Sequence, residues 1–144
     1  MTVSVEEPRA PEEQPPPPPP RDSALVRAGG LVVALTATVV TSIVELYLTP
    51  LRIAGVPIGA SVLFAAVANW ALSWFVLHTT QRRWAVGLPW VLWTVIMLFA
   101  AGARTTEGDY LLGGSDWMAL VMILVGSLSF AVFAYRMILG RIRP

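Results

Sequence analysis

The sequence predicts an all-α membrane protein, a four-transmembrane-helix bundle preceded by a disordered Pro-rich N-terminal tail. Three observations lead there. Charged residues are 13% of the 144, about half the ~25% of a soluble domain, and mean hydropathy is +0.66. Four separate apolar runs each reach the ~20 residues that a helix needs to cross a ~30 Å hydrocarbon core. Those runs are continuous, without the every-second-residue alternation of a membrane barrel strand. Helices also satisfy each spanning backbone donor inside their own segment.

Residues 1–24 are the tail. They hold Glu6, Glu7, Glu12, Glu13 and the proline run Pro15 to Pro20. Such a segment buries too little apolar surface to offset its ordering entropy, and the prolines favour an extended polyproline II rod. Its acidic, Pro-rich character does not match the start of a secretory signal.

Residues 25–139 form the transmembrane domain, with spans expected at about 25–48, 58–78, 85–103 and 117–139. Pro50, Gly55 and Pro57 break the chain between the first two spans. A short polar turn from Thr79 to Trp84, holding Arg82 and Arg83, separates the second and third. The segment from Arg104 to Asp116, with Gly108, Gly113 and Gly114, separates the last two. Pro89 is compatible with the third span if it lies in the first helical turn, where its missing N–H has no partner to lose. Residues 140–144 are a short basic tail.

Arginine sets the orientation. All ten basic residues are Arg. With four spans, Arg9, Arg21, Arg27, Arg82, Arg83, Arg136, Arg141 and Arg143 fall on one side, and Arg52 and Arg104 on the other. The positive-inside bias then predicts a multi-pass plasma-membrane protein with both termini cytoplasmic. Aromatic residues fit this frame: Trp84, Trp90 and Tyr135 near the inner boundary, Tyr47, Tyr110 and Trp117 near the outer one. Trp70, Trp74 and Trp93 are expected to pack between helices.

Chemistry-bearing residues are sparse. There is no Cys and one His, His78, so thiolate chemistry and Cys-ligated metal are excluded. No phosphate-cradling glycine pattern occurs, and no catalytic, cofactor or metal site is expected. Net charge is +1, which invites no nucleic acid.

Glu45 is the most informative residue, an ionisable group within the first span, about one turn before its outer end. Such groups face the bundle or water. Two assignments follow: a proton or cation site, or an ion pair with Arg52 or Arg104 near the interface. Ala34, Thr38, Thr41, Ser42 and Glu45 form one small or polar stripe, and Ser61, Ala65, Asn69 and Ser73 form a second. Small residues let helix backbones approach, and Ser, Thr and Asn can bond across the gap. The two stripes are expected to face each other or the bundle centre, with Asn69 as an interhelical hydrogen-bond partner. In the last loop, Glu107, Asp109 and Asp116 could offer oxygen to a hard cation, although a tight turn around Gly108 explains Glu107 and Asp109 as well. The candidate polar cluster, functional or structural, is thus Glu45, Arg52, Asn69, Arg104, Glu107 and Asp109.

The loop Arg104-Thr-Thr-Glu107-Gly108-Asp109-Tyr110, with Pro50-Leu51-Arg52, Gly55 and Pro57 before the second span, resembles small four-helix actinobacterial membrane proteins of uncharacterised function. The resemblance implies an actinobacterial plasma membrane and brings no activity or site residues.

The functional expectation is a non-enzymatic accessory or scaffold subunit of a membrane complex, because the sequence lacks paired ionisable groups at depth. Its partners would be the lipid bilayer and a membrane protein or a second copy of the chain. The alternative is a small dimeric transporter using Glu45. A membrane enzyme would need Glu45, Glu107 and Asp109 to converge.

Overall fold

A computed structural model describes residues 22–54, 56–103 and 117–140. Residues 1–21 of the expected Pro-rich tail, 141–144 of the basic one and the loop with Arg104, Glu107, Asp109 and Tyr110 lie outside them, whereas 22–24, expected in the tail, are helical. The described chain runs α1 (Asp22–Leu48), β1 (Arg52–Ile53), β2 (Val56–Pro57), α2 (Ala60–Thr80), a 3-10 turn (Arg83–Val86), α3 (Gly87–Gly102) and α4 (Trp117–Ile138). Four segments are long and apolar enough to cross a membrane: Ala24–Leu48, Ala60–Thr80, Arg83–Gly102 and Trp117–Ile138. The pattern is that of a multi-pass membrane protein.

Between α1 and α2 the chain folds back as a two-residue antiparallel ladder, with Arg52 opposite Pro57 and Ile53 opposite Val56. Ala54 makes the reversal at φ 50°, a left-handed conformation that a non-glycine residue seldom adopts. Gly59, at φ 66°, then redirects the chain into α2.

α2 runs two residues beyond the expected end at His78. The Thr80 hydroxyl donates to the Val76 carbonyl at 2.7 Å, and Gln81, left-handed at φ 56°, returns its N–H to Leu77. Arg82 is extended, and the 3-10 turn leads directly into α3. Pro89 is the third residue of α3, where the lack of an N–H leaves no helical bond unmade.

α1 packs most extensively on α2, α2 on α4, and α1 on α3. Ala34, Thr38, Ser42 and Glu45 on α1, and Ser61, Ala65, Asn69 and Ser73 on α2, are all fully buried. None of their hydroxyls bonds across the gap to a described residue. Thr38 donates to the Ala34 carbonyl at 2.8 Å, Ser42 to Thr38 at 2.7 Å and Ser73 to Asn69 at 2.8 Å. Each of these three hydroxyls bonds the turn before it, so the stripes seat the helices through small size and not through interhelical bonds.

The large apolar residues divide between the inside and the helix exteriors. Val76, Leu77, Phe133 and Met137 form a buried cluster at the end of the bundle that carries Arg27, Arg82 and Arg136. Trp93, Met97, Met122 and Phe130 form a second one nearer the hairpin. Leu63, Val67, Leu98, Phe99, Leu120 and Leu124 stand exposed. Helices apolar on every face suit a lipid surround and not water.

Candidate functional site

Glu45 carries the chemistry of the buried stripe. Its side chain is fully buried, and among residues whose side chains are described it is the only acid. Among the described residues no cation bonds it, and Arg104, one of its two expected partners, lies outside them. Its Oε2 instead accepts a hydrogen bond from the indole Nε1–H of Trp93 on α3, at 2.7 Å, and its Oε1 has no partner.

The stagger of α1 explains why Glu45 is so enclosed. Thr49, just past the end of α1, donates its hydroxyl to the Glu45 carbonyl at 2.8 Å and holds the same oxygen 3.3 Å from the Met122 Sδ. Met122 is the sixth residue of α4. At ~1.5 Å per residue, α1 therefore ends about 7 Å inside the start of α4. One turn further in, Glu45 comes level with Gly126. Sequence distance from the end of α1 understates the depth of the carboxyl.

Trp93, Asn69 and Gly126 line the same level. Each stands nine residues from its helix's hairpin-side end, counted from Gly102, Ala60 and Trp117 respectively. That is about 13–14 Å, close to the middle of a ~30 Å core. Gly126 has no room for a side chain. A Cβ there would fall 2.6 Å from the Trp93 Cζ2 and 3.0 Å from the Asn69 Nδ2. The glycine lets α4 close over both.

Asn69 corrects an expectation. Its Nδ2 and Oδ1 are buried without partners, as is the Oγ of Ser61, so it does not serve as an interhelical hydrogen-bond partner. The polar bond that does join α2 to α4 is the Ser129 hydroxyl donating to the Ala66 carbonyl at 2.7 Å. Among the described residues, the polar atoms that stand buried and unsatisfied on α1 and α2 are thus Glu45 Oε1, Ser61 Oγ and both ends of the Asn69 amide.

No family profile, curated protein or solved structure matches this chain. Its chemistry is therefore read from its own residues.

Of the six residues singled out from the sequence, the bundle interior holds two, Glu45 and Asn69. Arg52 sits exposed in β1, and Arg104, Glu107 and Asp109 lie outside the described residues. Trp93, expected only to pack between helices, and Gly126 stand outside those six yet belong to the site. A signal for Trp93 existed: a Trp far from both interfacial belts needs a partner for its N–H. Trp70 fills the packing role expected of it, edge-on to Phe133 at 5.1 Å between ring centres. Trp74 is half exposed and lies against His78 on its own helix.

An unpaired charge in a dry interior is costly, and so is an unsatisfied hydrogen-bonding group. A positive species at the unpartnered Glu45 Oε1 relieves both there, whether a proton on the carboxyl or a small cation.

Proposed function

We propose that this chain is a small plasma-membrane transporter that takes up and releases a proton or small cation at Glu45, with both termini cytoplasmic. It is non-enzymatic. The supporting observation is the fully buried Glu45 carboxyl with one oxygen on Trp93 and the other unpartnered. An ionisable group at such a place is a functional site by default. Helices of one chain enclose it, so a transporter of this kind needs no second copy to build the site. Arginine asymmetry supports the orientation.

The test is flux. Purified protein in proteoliposomes is expected to carry protons or a monovalent cation down an imposed gradient, and Glu45→Gln is expected to stop it while unfolding at a similar temperature. Equal flux in the variant and the parent would eliminate the proposal.

A second reading, the accessory subunit, is favoured by the cavities along the helix exteriors. The groove lined by Ala66, Trp70, Val125 and Leu128, and the one lined by Val33, Thr41, Ala68 and Phe75, open on apolar surface and do not include Glu45. Native co-purification decides it: a stoichiometric membrane-protein partner, with no flux from the isolated chain, favours the subunit.

A further inference from the structure

We propose that the arginine end of the bundle binds the phosphate headgroup of an anionic phospholipid between Arg27 of α1 and Arg82 of the turn after α2. The site begins with a close helix approach. A Cβ at Gly30 would fall 2.8 Å from the Thr79 Cβ, so α1 and α2 converge there to a distance that suits only a small residue. The two helices are antiparallel. Arg27 lies three residues before Gly30, and Arg82 three residues after Thr79. Both continue outward from the point of closest approach.

They meet at one cavity of about 240 Å³, lined by Arg27, Arg82, Thr80, Trp84, Ala28 and Leu31 among others. No acid lines it. Both arginines are exposed, and among the described residues neither guanidinium has a hydrogen-bond or ion-pair partner. The Thr80 hydroxyl is already engaged, donating to Val76 and accepting from the Arg82 backbone N–H. The charged donors left to a ligand are the two guanidinium forks.

Like charges converging on one cavity repel unless an anion bridges them. Phosphate oxygens match the planar guanidinium fork better than any other common anion except a carboxylate. The other walls are apolar and run onto the lipid-facing surface of α1, where Leu25 is exposed. Trp84 also borders a second, apolar cavity of about 390 Å³ between α3 and α4, with Arg83 at its rim. A headgroup on the arginine pair with acyl chains against these walls uses both halves of the surface. A soluble anion uses only one. Basic pockets between spanning helices take anionic headgroups by this physics.

The experiment uses the full chain in neutral detergent and reads thermal unfolding together with native mass spectrometry. Phosphatidylglycerol is expected to raise the unfolding temperature by several degrees and to remain as a bound adduct. Phosphatidylcholine and glycerol phosphate are expected to do neither. The Arg27→Gln/Arg82→Gln variant is expected to lose both effects, whereas Arg136→Gln, a control at the same end, keeps them. Arg82→Gln alone serves where the double variant fails to fold.

Four results overturn the proposal: an equal shift with phosphatidylcholine, which marks an apolar groove; an equal shift with glycerol phosphate, which marks a soluble-anion site; an undiminished shift in the arginine variants; or a phosphatidylglycerol shift that appears only in Glu12→Gln/Glu13→Gln, which marks the acidic tail as occupant.

Discussion

Gly126 of α4 and Trp93 of α3 occupy one another's space: a Cβ on the glycine would stand 2.6 Å from the indole ring. Trp93 is fully buried and cannot swing away without leaving Glu45. Gly126→Ala is therefore expected to destabilise the bundle by about 1–3 kcal/mol, the usual cost of overpacking a tight core. Reversible unfolding in mixed micelles measures it. A variant as stable as the parent would show that α4 yields easily and that the glycine is incidental.

Trp93→Phe keeps an aromatic ring and removes the N–H that holds Glu45 Oε2. Interhelical side-chain bonds in membranes average ~0.6 kcal/mol. The loss here is expected to be larger, about 1–3 kcal/mol, because both carboxyl oxygens are then buried without partners. The double-mutant cycle with Glu45→Met, which removes the acceptor, separates the bond from ring packing. A coupling energy indistinguishable from zero would show that the 2.7 Å contact contributes nothing.

Asn69→Leu discriminates a ligand site from dry packing. Both polar atoms of the amide are buried and unsatisfied, so an apolar replacement of similar size removes that penalty. The unfolding temperature is expected to stay level or rise, while proteoliposome flux falls. Flux that persists in a stabilised Asn69→Leu variant would leave the amide out of the site.

Gly30→Leu is expected to push α1 from Thr79, where even a Cβ stands at 2.8 Å. Arg27 then separates from Arg82, and the phosphatidylglycerol shift should shrink along with stability. Gly29 has nothing within 4 Å of an added Cβ, so Gly29→Leu is the matched control and is expected to retain both.

The absence of cysteine makes topology directly measurable. Single cysteines at Thr2 and Arg143 are expected to label only after the membrane is permeabilised, and one at the exposed Leu51 from outside intact cells. The reverse pattern would invert the orientation, and labelling of Thr2 and Leu51 from one side would remove a span.

The helices were legible because a bilayer leaves little choice. Long apolar runs with polar breaks at Pro50 and Arg82 could only be spans, and small residues at four-residue spacing on α1 and α2 could only share a face. The bonding pattern on that face was not legible. Residue type tells that Ser42 can donate, but whether it bonds its own helix or the next depends on a few tenths of an ångström between backbones. The same holds for Asn69, expected to bridge helices and found without a partner.

Hydropathy, charge asymmetry and residue spacing thus account for how many helices there are, where they break and which faces turn inward, since these depend on solvent preference along a single chain. The environment of Glu45 was beyond them. It rests on α1 stopping about 7 Å short of α4, on the Trp93 indole reaching the carboxyl and on Gly126 leaving room for that ring. Each is a relation between segments distant in the chain, and helix stagger follows from how side chains from all four helices fill one interior.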